Sequence, residues 1–274
     1  MTDRDIRRDR SVITLSPVAA DGMAWDFSVE DRLCAGPRGK PFLFGGSALA
    51  AAVEALERSI GRPVIWANAQ YHSFAVPGMV LRLTAEAGGT GKRLTQARLV
   101  GEAAGVPVIS VQATLGASTT KSDGQWIEAP RVASWRDSPV VTDHRVYQTG
   151  INTLFEFRLA GGRYPDGHML DGKNGGGRLR LWVRPVSDHP LDRPMLAIIA
   201  DYISVVICDA IGREVGANSL DNMVRFTGPA QGEWVLADIA LDRIMDGIAH
   251  GGLRLFSEEG SLIATASTSL VVRE

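Results

Sequence analysis

Cysteine is scarce in this chain. Cys34 and Cys208 are the only two in 274 residues, which excludes a disulfide framework and suits a reduced compartment. An excess of one charge is lacking as well. Lys and Arg number 29 against 31 Asp and Glu, a net charge of -2, so nothing electrostatic points to nucleic acid or an anionic membrane surface. The five histidines, His72, His144, His168, His189 and His250, show no paired ligand spacing. Neither cysteine has a nearby partner, and no metal site is expected. No apolar run comes near the roughly 20 residues of a membrane span. The start, Met1-Thr2-Asp3-Arg4-Asp5, is charged and has no apolar stretch of the signal-peptide kind. The expectation is a cytoplasmic globular protein with no nucleic-acid and no membrane partner.

What is present is one architecture written twice. Hydrophobic residues make up 45% of the chain, ample for a core, and the length suits two domains of about 130 residues. Gly45-Gly46 opens an apolar helix, Gly46–Ile60, that Gly61-Arg62-Pro63 stops. Its face is apolar nearly all round, so it is expected to be buried. A first strand is expected at Ala24–Glu30, and others at Val64–Phe74, Met79–Ala87, Leu94–Ala103 and Val106–Leu115. Pro77-Gly78, Gly88-Gly89 and Ala104-Gly105 supply the turns. Short strands with glycine turns imply antiparallel pairing, and a single buried helix implies a sheet wrapped round it.

Downstream the order returns. The second copy opens near Asn152–Leu159, passes a Gly-rich stretch at Gly161–Gly177 and resumes with a strand at Arg178–Arg184. A helix is expected at Pro194–Ile211, then strands at Ala217–Phe226, Trp234–Leu241, His250–Phe256 and Ser261–Val272. Between the copies, residues 117–150 change character, with Ser, Thr, Pro and scattered charge. The expected division is a first domain over 1–120, a linker over 121–150 and a second domain over 151–274. A functional site is expected between the two copies.

Four segments together resemble a known family. They are Phe44-Gly45-Gly46-Ser47-Ala48-Leu49-Ala50, Ser73-Phe74-Ala75-Val76-Pro77-Gly78, Ser219-Leu220-Asp221-Asn222-Met223-Val224-Arg225-Phe226, and Glu233-Trp234-Val235-Leu236 followed by Gly260-Ser261-Leu262-Ile263-Ala264. In this order and spacing they resemble the acyl-CoA thioesterases of double hot-dog type, the group of acyl-CoA thioesterase II. The likeness covers roughly residues 24–116 and 190–273. It implies an α+β fold of two tandem hot-dog domains, each a curved antiparallel sheet round one central helix. It also implies hydrolysis of an acyl-CoA thioester to free acid and CoA by water attack.

The family's site is similar to an aspartate, a Ser/Thr hydroxyl and a glutamine that together orient water. Carried over, the aspartate falls on Asp221, the hydroxyl position on Leu241 or Asp242, and the glutamine on Thr268. Asp221 suits a general base. Asp242 and Thr268 offer further hydrogen bonds to the water, and two nearby carboxylates tend to raise one pKa of the pair. Backbone N–H groups at Gly45 and Gly46 suit an oxyanion, because a helix N-terminus carries partial positive charge and glycine allows close approach. The same glycines also serve a tight strand-to-helix junction. Asn68, Gln70 and His72 lie on the matching strand of the first copy as a second polar set, although an alternating strand turns such residues outward in any case. Asp221 stands among apolar neighbours, where a carboxylate needs a partner or a function. Asp201 interrupts the second apolar helix, where it caps backbone or faces the cleft, and a structural role is the favoured reading. CoA enters only as part of the substrate, with no metal or prosthetic group, and a homo-oligomer is expected from sheet edges and apolar faces.

Rival readings are open at this point. Hot-dog folds host different functions, and dehydration on this fold uses Asp and His near a Gly-Asp-x-Asn-Pro run. Asp166-Gly167-His168 is the closest approach, and Asn-Pro is absent. Gly172-Lys173-Asn174-Gly175-Gly176-Gly177 lacks the Gly-Lys-Ser/Thr ending and the following helix of a phosphate loop. The alternative outside catalysis is an acyl-CoA-binding protein with a partly lost catalytic set, which the residues at 242 and 268 would suit. Convergence of Asp221, Asp242 and Thr268 on one water favours hydrolysis; their scatter favours binding.

Overall fold

The computed structural model describes residues 11–18, 20–37, 39–118, 122–141, 150–163 and 175–273. In the first half β1 (Leu15–Pro17) and β2 (Ala24–Ser28) precede a short pair, β3 (Cys34–Ala35) and β4 (Phe42–Leu43). Helix α1 (Gly45–Ile60) follows, then β5 (Val64–Tyr71), β6 (Val80–Thr90), β7 (Leu94–Ala103) and β8 (Val106–Gly116). The second half has β9 (Phe155–Gly162), β10 (Arg178–Pro185), α2 (Arg193–Ile199), α3 (Val205–Ile211), β11 (Gly216–Ser219) and β12 (Asp221–Phe226). It ends with β13 (Val235–Met245), β14 (Ile248–Ser257) and β15 (Leu262–Arg273).

One 13-stranded antiparallel sheet runs β1-β2-β6-β7-β8-β5-β12-β15-β14-β13-β10-β9, with β11 paired to β15. The order reads alike outward from the centre: β5, β8, β7, β6, β2 on one side mirrors β12, β15, β14, β13, β10 on the other. The two copies therefore join along β5 and β12, in register from Gln70 opposite Asp221 to Trp66 opposite Arg225. This is the duplicated hot-dog arrangement.

Helix α1 forms because Ala, Leu and Val dominate it, and Ala48 through Val53 are at most 3% exposed. Gly61 closes it at φ 72°, a left-handed C-terminal position that glycine takes without a Cβ penalty. The second helix differs from expectation. Instead of one rod over Pro194–Ile211, it runs as α2, a 3-10 turn at Tyr202–Ser204, and α3, and Asp201 sits at the break with φ −98° and ψ 8°. A second correction concerns apolar length. The helical stretch Arg193–Ile211 is long and apolar enough, by length and composition, to cross a membrane, and 72% of its most apolar window lies inside the fold. It is the core helix of the second copy, packed against α1.

The connector is a packed covering. Trp135 stacks on Trp234 with centroids 5.1 Å apart, and its indole N–H donates to Glu258 at 2.8 Å. Trp182 donates to the Ala133 carbonyl at 2.9 Å. With Ile127, Ala129 and Val132, these residues shield Trp182, Leu236 and Phe256, which stand in one row across β10, β13 and β14. That row faces away from the helices, since its neighbours Val183, Ala237 and Leu255 belong to the main core. Residues 122–141 thus give the second copy a covered outer face.

Where α1 meets α2, the N-cap of α2 is Asp192, whose side chain accepts the Met195 N–H at 3.0 Å. Burial, with Glu54 and Glu57 nearby, pushes its carboxyl up to about 7. The unfolded group ionises near its usual value, so this site's contribution to stability falls as pH rises from about 4 to 7 and stays low above that. Asp192→Asn keeps the capping oxygen and removes the buried charge. Its melting temperature is expected to exceed wild type by at least about 2 °C at pH 8 and to match it near pH 4, in thermal melts at both values.

Candidate active site

The seam between the copies gathers polar groups at one end of α1. A helix leaves its first N–H groups without intrahelical partners, and the N-cap residue Phe44 has no side-chain acceptor to offer. The acceptor comes from the other copy. The Gly46 N–H donates to Asp201 Oδ2 at 2.7 Å. Asp201 Oδ1 accepts from Asn222 Nδ2 at 2.8 Å and from Ser219 Oγ at 3.1 Å. Asp201 is 1% exposed. Burial raises its carboxyl to about 6 against the pull of Asn222, Ser219 and Gly46, and the charge of Asp221 adds to the rise.

Close packing requires both glycines. A Cβ on Gly45 would meet Asp201 Oδ2 at 2.7 Å and the Tyr71 ring at 3.0 Å. One on Gly46 would meet the Ile198 carbonyl oxygen at 2.8 Å and Asp201 Cβ at 2.9 Å. The Tyr71 hydroxyl is buried and makes no hydrogen bond among the described residues. Burial, then Asp201 and Asp221, hold its pKa well above the usual phenol value, so it stays protonated.

Asp221 stands at an irregularity of its strand. Ser219 and Asn222 both reach Asp201, although strict alternation would send residues three apart to opposite faces. Leu220, which separates β11 from β12, is the extra residue of a bulge. Asp221 is half-buried. Its Oδ1 accepts the Ser269 N–H at 2.6 Å, and its backbone carbonyl accepts from the Thr268 hydroxyl. Its Oδ2 accepts no hydrogen bond from the described residues.

The sequence-derived candidates separate accordingly. Asp221 and Thr268 adjoin, and Gln70 stands directly opposite Asp221. Asp242 does not join them. It is exposed at a bulge in β13 between Leu241 and Arg243, and Leu241 is two strands from Thr268 through Gly251, about 10 Å at the usual strand spacing. The three residues therefore do not converge on one water. Asn68 faces away from the helices, as its buried neighbours Ala67 and Ala69 face toward them. With Gln70, Arg98, Ser110 and Gln112 it lines an outer-face hollow of about 270 Å³. Gly45 and Gly46 lie at the seam, but the Gly46 N–H is already given to Asp201, because a buried carboxylate requires donors. Asp201 both caps backbone and faces the cleft, and the backbone it caps belongs to the other copy.

Tyr71, Ser219 and Asn222 were not singled out by sequence reasoning. The carboxylate inside an apolar helix was the signal that leads to them. Cys34 is buried, and burial followed by Asp31 pushes its thiol up to about 11, a poor nucleophile. Among the described residues no group of three or more His, Cys, Asp or Glu could hold a metal ion. Asp166-Gly167-His168, His144 and Gly172 to Asn174 lie outside the described residues.

Comparison with known proteins agrees with this fold. Residues 128–272 match the family model of the acyl-CoA thioesterase C-terminal domain. A putative thioesterase from Novosphingobium aromaticivorans DSM 12444 is 33% identical, with 95% of this chain and 98% of that one covered and a TM-score of 0.84. The fold is shared with a hot-dog protein of unknown function from Alicyclobacillus acidocaldarius, 17% identical over 100% and 99% of the two chains with a TM-score of 0.81. It is shared too with acyl-CoA thioesterase II TesB2 from Mycobacterium marinum, 16% identical over 95% and 96% with a TM-score of 0.72. A search of curated proteins gives no match. With two hot dogs in one chain, a polar seam between them and this similarity over most of its length, the chain belongs to the acyl-CoA thioesterase family.

Proposed function

We propose that the seam at the start of α1 is where this acyl-CoA thioesterase cleaves its substrate, with Asp221 as general base. The observation that carries the assignment is the state of the Asp221 carboxylate. One oxygen is pinned by the Ser269 N–H, and the other accepts no hydrogen bond from the described residues, which leaves it able to accept one from water. A base needs that combination of fixed direction and free acceptor. Asp201, by contrast, is fully buried and has both oxygens engaged.

In this reading Asp221 takes a proton from water as the water oxygen attacks the thioester carbon. The carbon–sulfur bond then breaks, its electron pair goes to sulfur, and the proton returns to give free CoA thiol and acid. Thr268 fixes the Asp221 backbone through its hydrogen bond to the carbonyl. The positive end of the α1 dipole favours charge developing on the carbonyl oxygen. Asp242 has no part in this scheme; its separation from Asp221 and Thr268 is the outcome that favours binding, and the match of residues 128–272 to the acyl-CoA thioesterase C-terminal domain is what supports hydrolysis against it. The cytoplasm as compartment and association of copies through sheet edges, with β1 and β9 at the two ends, complete the proposal.

The test is free-thiol release from a panel of acyl-CoAs of increasing chain length. Turnover that depends on Asp221 supports the reading and gives the chain preference. Acyl-CoA binding without turnover across the panel would overturn it and leave a binding protein.

A further inference from the structure

Asp201 ties together three pieces of chain that the reaction needs in register. It holds the first turn of α1 through the Gly46 N–H, 155 residues away in sequence. It holds both flanks of the bulge that carries Asp221, through Ser219 and Asn222. Three donors converge on one side chain, and only an acceptor-only group satisfies all of them. An asparagine has a single acceptor oxygen and would turn an N–H toward one of these donors. The other groups facing the Asp201 carboxylate are Tyr71 from β5 and Asp221 from β12, while α1 presents only the backbone of Gly45 and Gly46 there.

We propose that Asp201 is a positioning residue for hydrolysis: as a carboxylate it sets where Asp221 stands relative to the N-terminal end of α1. The inference rests on Asp221 being the base. It has a consequence in pH. The Asp201 carboxyl is raised to about 6, so the clamp is intact above that pH. Below it, protonation turns one acceptor oxygen into an O–H, one of the three donors loses its partner, and kcat falls. The hydrogen bond from Ser219 holds this pKa down, so removing the Ser219 hydroxyl moves the acid limb of the kcat profile to higher pH.

The experiment measures kcat and KM against pH for wild type, Asp201→Asn, Ser219→Ala, Ser219→Thr and Asp221→Asn. Asp201→Asn is expected to lose at least about 10-fold in kcat at pH 8, the scale of a small misplacement, with KM nearly unchanged. Ser219→Ala shifts the acid limb upward, and Ser219→Thr, which keeps the hydroxyl, restores it. The Ser219 pair carries the test by itself if Asp201→Asn does not fold. An acid limb that stays in place in Ser219→Ala, or near-wild-type kcat in Asp201→Asn beside an inactive Asp221→Asn, overturns the role of Asp201 and leaves the base assignment standing. An active Asp221→Asn overturns the base assignment instead.

Discussion

Asp221→Asn is expected to lower acyl-CoA hydrolysis at least about 100-fold, the scale of a lost general base, in a protein that folds as before. The substitution preserves shape. An amide oxygen still accepts the Ser269 N–H, and the Thr268 hydroxyl bonds the backbone carbonyl, which the change leaves alone. What disappears is the proton acceptor for water. A further sign accompanies it: the charge of Asp221 helps to raise Asp201, so the residual activity should show its acid limb at lower pH than wild type. Thiol release and a thermal melt on the same preparation check both parts. Activity within a few-fold of wild type would remove Asp221 from the chemistry.

Gly46→Ala is expected to damage both stability and turnover. Its Cβ would fall 2.8 Å from the Ile198 carbonyl oxygen and 2.9 Å from Asp201 Cβ. The first is backbone in the core helix of the other copy and has no rotamer to move to. Overpacking of this kind costs about 1–3 kcal/mol, a fall of about 2–10 °C in melting temperature for a chain of this size. Turnover should fall further, because relief of the clash separates α1 from Asp201 and disturbs the Gly46 N–H bond. Gly89→Ala is the matched control, since nothing lies within 4 Å of the added Cβ. Unchanged melting and turnover in Gly46→Ala would mean that the two copies slide freely at this contact and that Asp201 does not fix the start of α1.

The repeated pattern of helix and strands was legible because it is local. Glycine turns, β-branched runs and the Ala-rich helix each declare themselves within a few residues, and β7 at Leu94–Ala103 matches its expected bounds. The break in the second helix was less so. Asp201 marked it, but the helical apolar period continues on both sides, and only the distant Gly46 N–H shows why the chain departs there. The site itself was legible in part. Asp221 stood out as a carboxylate among apolar residues, whereas Ser219 and Asn222 share a face only through the bulge at Leu220. Alternation read from sequence assigns them to opposite faces. Asp242 illustrates the reverse case: its spacing after Trp234 matched a functional position, and a one-residue bulge in β13 leaves it exposed. The connector's role was hidden because its contacts, Trp135 on Trp234 and Trp182 on Ala133, are long-range.

The most direct measurement is a crystal structure with a thioether analogue of an acyl-CoA, which binds and resists hydrolysis. With Asp221 as the base, the carbon that stands for the thioester carbonyl is expected at the seam, one water away from Asp221 Oδ2, about 5 Å. An analogue whose reacting carbon is seated farther from Asp221 than one water can bridge would contradict that assignment.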